Sequence, residues 1–374
     1  MSDPAASSAD RHSRDAALAL SLALPADVVL YLLLPAHAGH FGVSLAQAGV
    51  LLAANRLIRI AGYGWVARRY AARGDRDICT LAALASAGCA LSYALLSGFW
   101  LLLAARLLWG LSFAALNLST QALATASLSG AAQRTGRSRA LIATGPMLAL
   151  PAAAWLAEVA GPRVIFFILA ALALLALPLA RRLPAHGRTQ AAPPPARRIR
   201  PPGSLDAWSF MEGLTLDGLF IIGLALLAQD ALPEWALLAA GVLMALRYLS
   251  EILLSPLGGR LADRLGAERM LVVLSLATSA ALVGFGAGWL WACAFIIVVL
   301  RALQLPLLAP IVARRHPGHE RIQALAARSI WRDIGAGAGP MLAGLLLPAA
   351  PPILIYGGAA LLLSAAALAC LRSD

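Results

Sequence analysis

The chain has 374 residues, of which 60% are hydrophobic and 13% are charged, and its mean hydropathy is +0.78. This composition excludes an ordinary soluble domain and is typical of a polytopic membrane protein, with room for about twelve spans of about 20 residues each. All 30 basic residues are arginine, so the Gly-Lys pair of a Walker A loop is missing and an ATP-driven pump within this chain is not indicated.

Twelve apolar segments are predicted to span the membrane. The first six lie at about 16–36, 45–67, 76–97, 99–121, 138–160 and 163–181. The second six lie at about 206–228, 234–257, 268–288, 289–312, 322–347 and 351–371. Residues 1–15 are predicted to be a polar, mobile tail. We therefore predict an all-α membrane protein with an N-terminal six-helix bundle over 1–181, a Pro- and Arg-rich cytoplasmic linker over 182–205 and a C-terminal six-helix bundle over 206–374.

Arginine is concentrated in alternate loops. The loops after spans 2, 4, 8 and 10 and the central linker are basic, whereas the other loops are nearly free of arginine apart from Arg163. By the positive-inside rule, both termini are predicted to be cytoplasmic, as expected for a multi-pass protein of a bacterial inner membrane. This distribution argues against nucleic acid as a partner. The four cysteines lie within spans without CxxC spacing, so neither a metal site nor a disulfide framework is predicted. No cofactor is expected.

The two halves of the sequence are related by an internal repeat. A shift of 195 residues places Gly64–Arg69 on Gly259–Arg264 and places Arg106 on Arg301. A shift of 194 residues places Gly145-Pro146-Met147-Leu148 on Gly339-Pro340-Met341-Leu342. Three matches at nearly one offset predict two halves of the same design.

Three motifs carry a resemblance to one family of transporters. The stretch from Gly259 to Arg269, GRLADRLGAER, is predicted to be a short charged loop, and its order of residues resembles the loop signature of the major facilitator superfamily of secondary transporters. The segment beginning at Arg106, RLLWG, is similar to the fourth-span motif of that family, and Gly145-Pro146 is similar to the Gly-Pro motif of its antiporters. The first-half loop departs from the signature, with Arg68 at the usual position of Asp.

The resemblance covers essentially the whole chain and implies twelve helices in two pseudo-symmetric bundles. It also implies alternating access, a substrate bound between the halves near the midplane and a monomeric protein. The residues to which it assigns a conformational role are Gly259, Asp263, Arg264, Gly266, Arg269, Arg106, Gly110, Gly145 and Pro146. For Arg106, a proton-relay role and a simple structural hydrogen bond remain alternatives.

Charged residues within the spans are the candidate functional groups, because each costs about 2.5–3.5 kcal/mol at bilayer depth unless it has a partner or a cavity. Burial favours the protonated form of a carboxyl group and a neighbouring arginine favours the carboxylate, so a group between these influences can load and release protons. We predict this role for Asp27, Glu212 and Asp217, and prefer Asp27 because it follows Pro25. Packing hydrogen bonds or structural salt bridges are the alternatives. Glu212 and Asp217 are about 140° apart on an α-helix, so one of them is expected to face the cavity.

The buried arginines suggest a binding site for an anion. Arg56 and Arg59 share a helix face and predict an anion subsite, unless they pair with one of the three acids above. Arg247 and Glu251 have the i,i+4 spacing of an ion pair. The predicted substrate-binding residues are Arg56, Arg59, Arg247, Glu251, Arg301, Trp331 and Asp333.

The main hypothesis is proton-coupled export of a small organic molecule. The Gly-Pro motif favours export, and the surplus of arginine favours a substrate with carboxylates, such as an organic acid or a carboxylate metallophore. A proton-coupled importer of an organic anion and a multidrug exporter are the alternatives, although a multidrug exporter is expected to have an acid-dominated cavity. A lipid transporter or a sensor is a further alternative. No catalytic constellation is recognised, so the chain is not expected to be an enzyme.

Overall fold

The computed structural model describes residues 4–185, 202–231, 236–318 and 320–371. These residues form helices joined by short turns, and no strand occurs among them. A spanning backbone that finds no water in the bilayer must satisfy its own hydrogen bonds, which α-helices do within each segment. Most of the predicted linker, 186–201, lies outside the described residues.

The first part of the chain forms seven α-helices and one short 3₁₀ helix. They are α1 (Pro4–Ala23), α2 (Pro25–Ala36), the 3₁₀ helix (Ala38–Phe41), α3 (Leu45–Leu95), α4 (Phe99–Ala124), α5 (Ala131–Ala160), α6 (Val164–Leu174) and α7 (Ala176–Arg181). The prediction of a mobile tail over residues 1–15 was wrong, because α1 begins at Pro4. Ser13 and Asp15 are buried, and α1 packs against α4 and α7, so this polar stretch is part of the packed fold.

The long helix α3 covers the second and third predicted spans. A straight helix of its 51 residues would measure about 76 Å at about 1.5 Å per residue, more than twice the thickness of a bilayer core. The helix is interrupted at Gly74, whose φ of 79° and ψ of 178° are not helical. Glycine adopts a positive φ without the steric penalty of a Cβ atom, so Gly74 marks the division between the two spans.

The second part of the chain forms eight α-helices and one π-helical segment. They are α8 (Ser204–Glu212), the π segment (Gly213–Leu219), α9 (Phe220–Ala231), α10 (Ala236–Leu265), α11 (Ala267–Gly286), α12 (Leu290–Gln304), α13 (Leu308–Arg315), α14 (Glu320–Leu346) and α15 (Pro352–Ala369). The prediction of a short charged loop after span 8 was wrong, because most of these residues are helical. Helix α10 continues to Leu265, and a turn at Gly266 (φ 93°) leads directly into α11. The buried side chain of Ala262 and the helix-compatible arginines explain why the helix continues.

Nine helices among the described residues are long and apolar enough to cross a membrane. One of the nine is α3, which covers two predicted spans, and α10 and α14, with 30 and 27 residues, cover predicted spans 8 and 11. Each of the twelve predicted spans therefore falls on a described helix or pair of helices, which fits a twelve-span protein.

The chain divides into two compact units. Unit 1 consists of Met1–Ser129, Arg137–Ala192 and Pro317–Ala326, and unit 2 consists of Gly130–Gly136, Pro193–His316 and Ala327–Asp374. These limits follow compactness and differ from the predicted bundles at two short segments, so the division at 1–181, 182–205 and 206–374 stays a prediction.

Glycines related by the sequence repeat occupy equivalent close contacts in the two units. In unit 1, a Cβ atom on Gly145 of α5 would overlap the carbonyl oxygen of Ser21 in α1. In unit 2, a Cβ atom on Gly339 of α14 would overlap Gly218 and would lie 2.5 Å from the carbonyl oxygen of Leu214. Small residues let membrane helices approach backbone to backbone, and each unit uses one at this position.

Candidate functional site

In unit 1, a buried ion pair joins α2 to α4. Nη1 of Arg106 donates to Oδ1 of Asp27, and the Arg106 side chain is completely buried while that of Asp27 is 11% exposed. Nε of Arg106 donates to the carbonyl oxygen of Leu51 at 3.0 Å, which adds α3 to the arrangement. Arg106 therefore holds an acid of one helix and the backbone of another, and the structure gives this predicted motif residue a partner that sequence could not identify.

Two further side chains complete this group, which we call the Asp27 cluster (Asp27, Tyr31, Asn55 and Arg106). Nδ2 of Asn55 donates to Oδ1 of Asp27 at 3.2 Å. The Tyr31 hydroxyl donates to the carbonyl oxygen of Leu52 at 2.8 Å and to Oδ1 of Asn55 at 3.2 Å, and its ring lies 5.3 Å from the Arg106 guanidinium carbon. Sequence analysis missed Asn55, although an amide within an apolar span was the available signal.

Local helix structure places Asp27 in this cluster. A single residue, Leu24, separates α1 from Pro25 at the start of α2, and its φ and ψ remain helical. Proline has no N–H to donate, so Pro25 removes one backbone hydrogen bond just before Asp27. Pro25 thus marks the point in the first predicted span where α1 gives way to α2.

The predicted anion subsite on α3 lies in the same unit. Arg59 is buried, and its guanidinium carbon lies 4.6 Å from the centroid of the Phe113 ring in α4. Arg56 is half-buried. A guanidinium over an aromatic face is attracted by the ring quadrupole, so Phe113 holds Arg59 against α4. The role of the two arginines in binding an anion stays a prediction.

In unit 2, six ionisable side chains from α8, the π segment, α10, α12 and α14 form one network, which we call the six-charge cluster. Its members are Glu212, Asp217, Arg247, Glu251, Arg301 and Arg332. With three arginines and three carboxylates the cluster is formally neutral. Five of its members were predicted as functional residues from sequence, and the structure brings these five together.

Arg301 of α12 contacts all three acids of the cluster. Its Nη2 donates to Oδ1 of Asp217, its Nη1 donates to Oε1 of Glu251 at 3.3 Å, and its Nε lies 3.8 Å from Oε1 of Glu212. The side chain of Arg301 is 6% exposed. A buried guanidinium with three carboxylate neighbours is the arrangement expected for a charge that cannot lose its proton.

The other two arginines contact the same acids from the more exposed side. Arg332 of α14 donates from Nε to Oε2 of Glu212 at 2.9 Å and from Nη2 to Oδ2 of Asp217 at 2.8 Å. Nη2 of Arg247 lies 3.5 Å from Oδ1 of Asp217. The predicted pair between Arg247 and Glu251 is present, with 3.5 Å between Nε and Oε1.

The expectation that Glu212 and Asp217 point in different directions was wrong. They both accept hydrogen bonds from Arg332, because the segment between them is a π-helix instead of an α-helix. The Phe220 N–H donates to the carbonyl oxygen of Thr215, five residues earlier. In i→i+5 geometry residues five apart lie one turn above each other, so the two carboxylates share a face.

Arg332 is a member of the six-charge cluster that sequence analysis did not select. The hydrogen bonds to Glu212 and Asp217 come from Arg332, and the role of its neighbour Asp333 in binding substrate stays a prediction. Trp331 lies edge-on to Phe210, with 6.4 Å between the ring centroids. Adjacent residues on a helix face directions about 100° apart, so the choice between them required knowledge of the neighbouring helices.

The motif around Asp263 is an acid at a helix N-terminus. Oδ1 and Oδ2 of Asp263 accept the backbone N–H groups of Ala132 and Gln133, at 3.3 and 3.0 Å, in the first turn of α5. Gly259 packs against the carbonyl oxygen of Ala132. Free N–H groups and the helix dipole make such an end favourable for a carboxylate. Arg264 and Arg269 are exposed.

Other glycines and prolines of the predicted motifs lie within helices. Gly110 of α4 lies where a Cβ atom would be 2.6 Å from the carbonyl oxygen of Asn55, and Pro146 follows Gly145 inside α5. In the part of the chain that the structure describes, no group of three or more His, Cys, Asp or Glu side chains is arranged to hold a metal ion.

Comparison with known proteins assigns the chain to a family of transporters. The family model described as Major Facilitator Superfamily matches residues 16–229 and again 209–374. The two matches together cover nearly the whole chain, so the chain belongs to this superfamily and is a secondary transporter of the membrane, not an enzyme. The family and the all-α fold predicted from sequence are thereby confirmed.

One similar solved structure is the crystal structure of the human organic anion transporter MFSD10 (TETRAN). Its TM-score is 0.72 and its sequence identity is 15%, and the alignment covers 99% of this chain and 100% of the human chain. At this identity the likeness establishes the fold. No curated protein matches the chain by sequence.

Proposed function

We propose that the protein is a proton-coupled secondary active transporter, working by alternating access, whose substrate is a small organic molecule bearing one or more carboxylates. The observation that carries the proposal is the distribution of buried charge. In unit 1, Arg59 of α3 and Arg106 of α4 are buried, Arg56 of α3 is half-buried, and Asp27 is the acid that pairs with Arg106. In unit 2, the two most exposed members of the six-charge cluster are arginines. Both features favour an anionic substrate over a cationic one.

Asp27 is the proposed proton carrier. Protonation removes the charge that holds Arg106, while Arg106 itself stays charged at every physiological pH. The contact between α2 and α4 would then weaken, and the hydrogen bond from Arg106 to the Leu51 carbonyl would remain. A change of one proton would thus be converted into a change in helix packing, as coupled transport requires.

Export is the proposed direction, and a carboxylate metallophore is one suitable substrate. The support is the Gly145-Pro146 motif, where Gly145 gives α5 its close approach to α1. The human protein of this fold is described as an organic anion transporter, and that description agrees with the substrate class argued here from the charges. We further propose a monomer in a bacterial inner membrane with both termini cytoplasmic.

Proton-coupled import of an organic anion is a second candidate, favoured by the six-charge cluster. The carboxylates of this cluster bind the same arginines that a substrate carboxylate would use. Protonation of one of these acids would release its arginines, which could then bind an anion. Proton binding would thus favour anion binding. Binding of both favours movement in the same direction.

The test is transport by the purified protein in liposomes that contain a pH dye. Carboxylates, metallophores and lipophilic cations are added outside in the absence of a pH gradient. Exchange of an anion for protons makes the lumen alkaline, whereas joint movement makes it acidic, so the sign of the signal separates export by antiport from import by symport. A carboxylate-evoked signal that is absent in Arg56→Ala supports the anion site on α3. Signals with cations alone would overturn the proposed substrate class.

A further inference from the structure

Asp217 is the common acid of the six-charge cluster. Its Oδ1 is contacted by Arg247 and Arg301, and its Oδ2 accepts a hydrogen bond from Arg332. Guanidinium groups recognise free carboxylates with the same donors, because the spacing of their N–H groups matches that of the two carboxylate oxygens. Asp217 is therefore held in the way that arginines hold a carboxylate ligand.

The two most exposed side chains of the cluster are both arginines. The side chains of Arg332 and Arg247 are 27% and 24% exposed, whereas those of Glu212, Asp217 and Glu251 are between 7% and 13% exposed. A molecule approaching the open side of the cluster consequently meets guanidinium donors first. Beneath them, Nε of Arg301 makes no hydrogen bond within the described residues.

The π segment presents Asp217 to the arginines. An α-helical register over the same residues would turn Asp217 about 140° from Glu212 and away from Arg332. π-helical turns are rare and occur frequently at functional sites. Here the segment also lies in close contact with α14, since a Cβ atom on Gly213 would overlap the carbonyl oxygen of Arg332. A local change between the two registers would withdraw Asp217 while both flanking helices remain helical.

We propose that the Asp217 carboxylate occupies the position of a substrate carboxylate. When a change of register in the π segment moves Asp217 away, Arg247 and Arg332 form a subsite that binds a carboxylate of the substrate. Arg301 stays with Glu212 and Glu251 in both arrangements. The inference rests on the proposed carboxylate-bearing substrate, and its coupling of proton binding to anion binding agrees with the second candidate, joint movement of the two.

The subsite has a defined dependence on pH. The charged groups facing Asp217 are Arg247 from α10, Arg301 from α12 and Arg332 from α14, together with the neighbouring acids Glu212 and Glu251. A proton on Asp217 removes its attraction to the three arginines and leaves their donors to an added anion. Carboxylates therefore bind more tightly at low pH than at high pH in the wild-type protein.

The first experiment measures binding to the purified full-length protein by calorimetry at pH 8, using benzoate and citrate as probes and benzamide as the uncharged control. We expect Asp217→Asn to bind at least one carboxylate about tenfold more tightly than the wild type, a difference of about 1.4 kcal/mol. Benzamide binding should be unaffected. Glu268→Gln is the matched control, because it removes an acid from a separate ion pair of unit 2, with Arg315 at 2.8 Å.

A second variant tests the role of the π segment. Deletion of Leu216 shortens the π turn to an α turn and places the two acids four residues apart, where they still share a face. The shortened helix lacks the extra residue needed to withdraw the acid, so we expect a folded protein with at least about tenfold weaker carboxylate binding. Deletion of Ile222 is the control. It also removes one residue, but from the regular helix α9, where it disturbs the packing of Gly223 against Tyr356.

Three outcomes would overturn the proposal: no carboxylate bound by Asp217→Asn, no tightening relative to the wild type, or unchanged binding after deletion of Leu216. These results are distinguishable from failure of the proposed function. If the wild-type protein moves no carboxylate in liposomes, the substrate class is wrong. If it moves carboxylates and Asp217→Asn leaves both binding and transport unchanged, only the subsite is wrong.

Discussion

The two units place their buried charge in different ways around equivalent arginines. Arg106 in α4 and Arg301 in α12 are related by the sequence repeat, and each contacts an acid from an earlier helix of its own unit. In the Asp27 cluster of unit 1, one arginine pairs with one acid, and Asn55 is a second donor to that acid. In unit 2 three arginines share three acids.

The difference has consequences for what each cluster can do. Removing one partner of a buried ion pair leaves an uncompensated charge, which is strongly unfavourable. Within a shared network, the remaining members still contact the charge that has lost a partner. The Asp27 cluster is thus sensitive to a single proton, whereas the six-charge cluster can exchange partners while its total charge stays balanced. This contrast suits a coupling role for the first cluster and a binding role for the second.

Substitution of Asp27, the acid of the ion pair with Arg106, is expected to have the largest effect. Asp27→Asn keeps a side chain of the same shape but cannot carry a proton, so concentrative transport driven by a pH gradient should be abolished while the protein stays folded. Accumulation of substrate in proteoliposomes measures this. Asp75→Asn is the control, because Asp75 is another buried acid of unit 1 and accepts a hydrogen bond from Ser119 at 2.7 Å. Wild-type accumulation by Asp27→Asn would remove Asp27 from the coupling role.

Truncation of the two repeat-related arginines, Arg106 and Arg301, should show that the Asp27–Arg106 ion pair and the six-charge cluster differ in their contribution to stability. Arg106→Ala leaves Asp27 buried without its arginine and should destabilise the folded protein by about 3–5 kcal/mol. Arg301→Ala should cost about 1–3 kcal/mol, because Arg247 and Arg332 still contact Asp217. Denaturation of the detergent-solubilised variants gives both values.

A neutral replacement of the pair provides the control for this prediction. The double variant Asp27→Asn and Arg106→Gln removes both charges together, so it should recover most of the stability lost in Arg106→Ala. Equal losses in Arg106→Ala and Arg301→Ala would show that the two clusters do not differ in the way described.

The glycines at the close helix contacts should behave alike in the two units. Gly145→Ala and Gly339→Ala each place a methyl group against backbone atoms of a neighbouring helix, and each should cost about 1–3 kcal/mol through displaced helices. Gly49→Ala and Gly337→Ala are matched controls, since nothing lies within 4 Å of their added Cβ atoms. Thermal unfolding of the four variants tests this symmetry, and a large loss in one unit alone would break it.

The smallest effect is expected for Asp263, the exposed acid of α10 that accepts hydrogen bonds from the first turn of α5. Asp263→Asn keeps an oxygen for one backbone N–H but removes the charge that interacts with the helix dipole, a change of about 0.3–1 kcal/mol. The repeat-related position in the first half is Arg68, which is not an acid. The corresponding substitution Arg68→Asn should therefore not produce the same loss of stability. Stability measured at low and high salt distinguishes the charge effect, which salt reduces.

Sequence alone determined the membrane class, the family and the placement of the spans. Long apolar stretches are sufficient for this, because a segment that crosses lipid must be apolar and must satisfy its backbone internally. The charged residues within these stretches were also evident, and the half-buried pair of Arg247 and Glu251 followed from helical spacing. Sequence was less reliable at the ends of helices, where the polar stretch from Pro4 and the charged stretch up to Leu265 proved to be helical.

Tertiary structure decided which charges meet. Helical periodicity gives the direction of a side chain relative to its own helix, but the partner of Asp27 depends on how α2, α3 and α4 pack. Periodicity also assumes a regular helix, and the π segment breaks that assumption by aligning Glu212 with Asp217. Arg332 of α14 donates to these acids, and the spacing of residues along α14 could not predict this contact, because it does not give the position of the neighbouring helices.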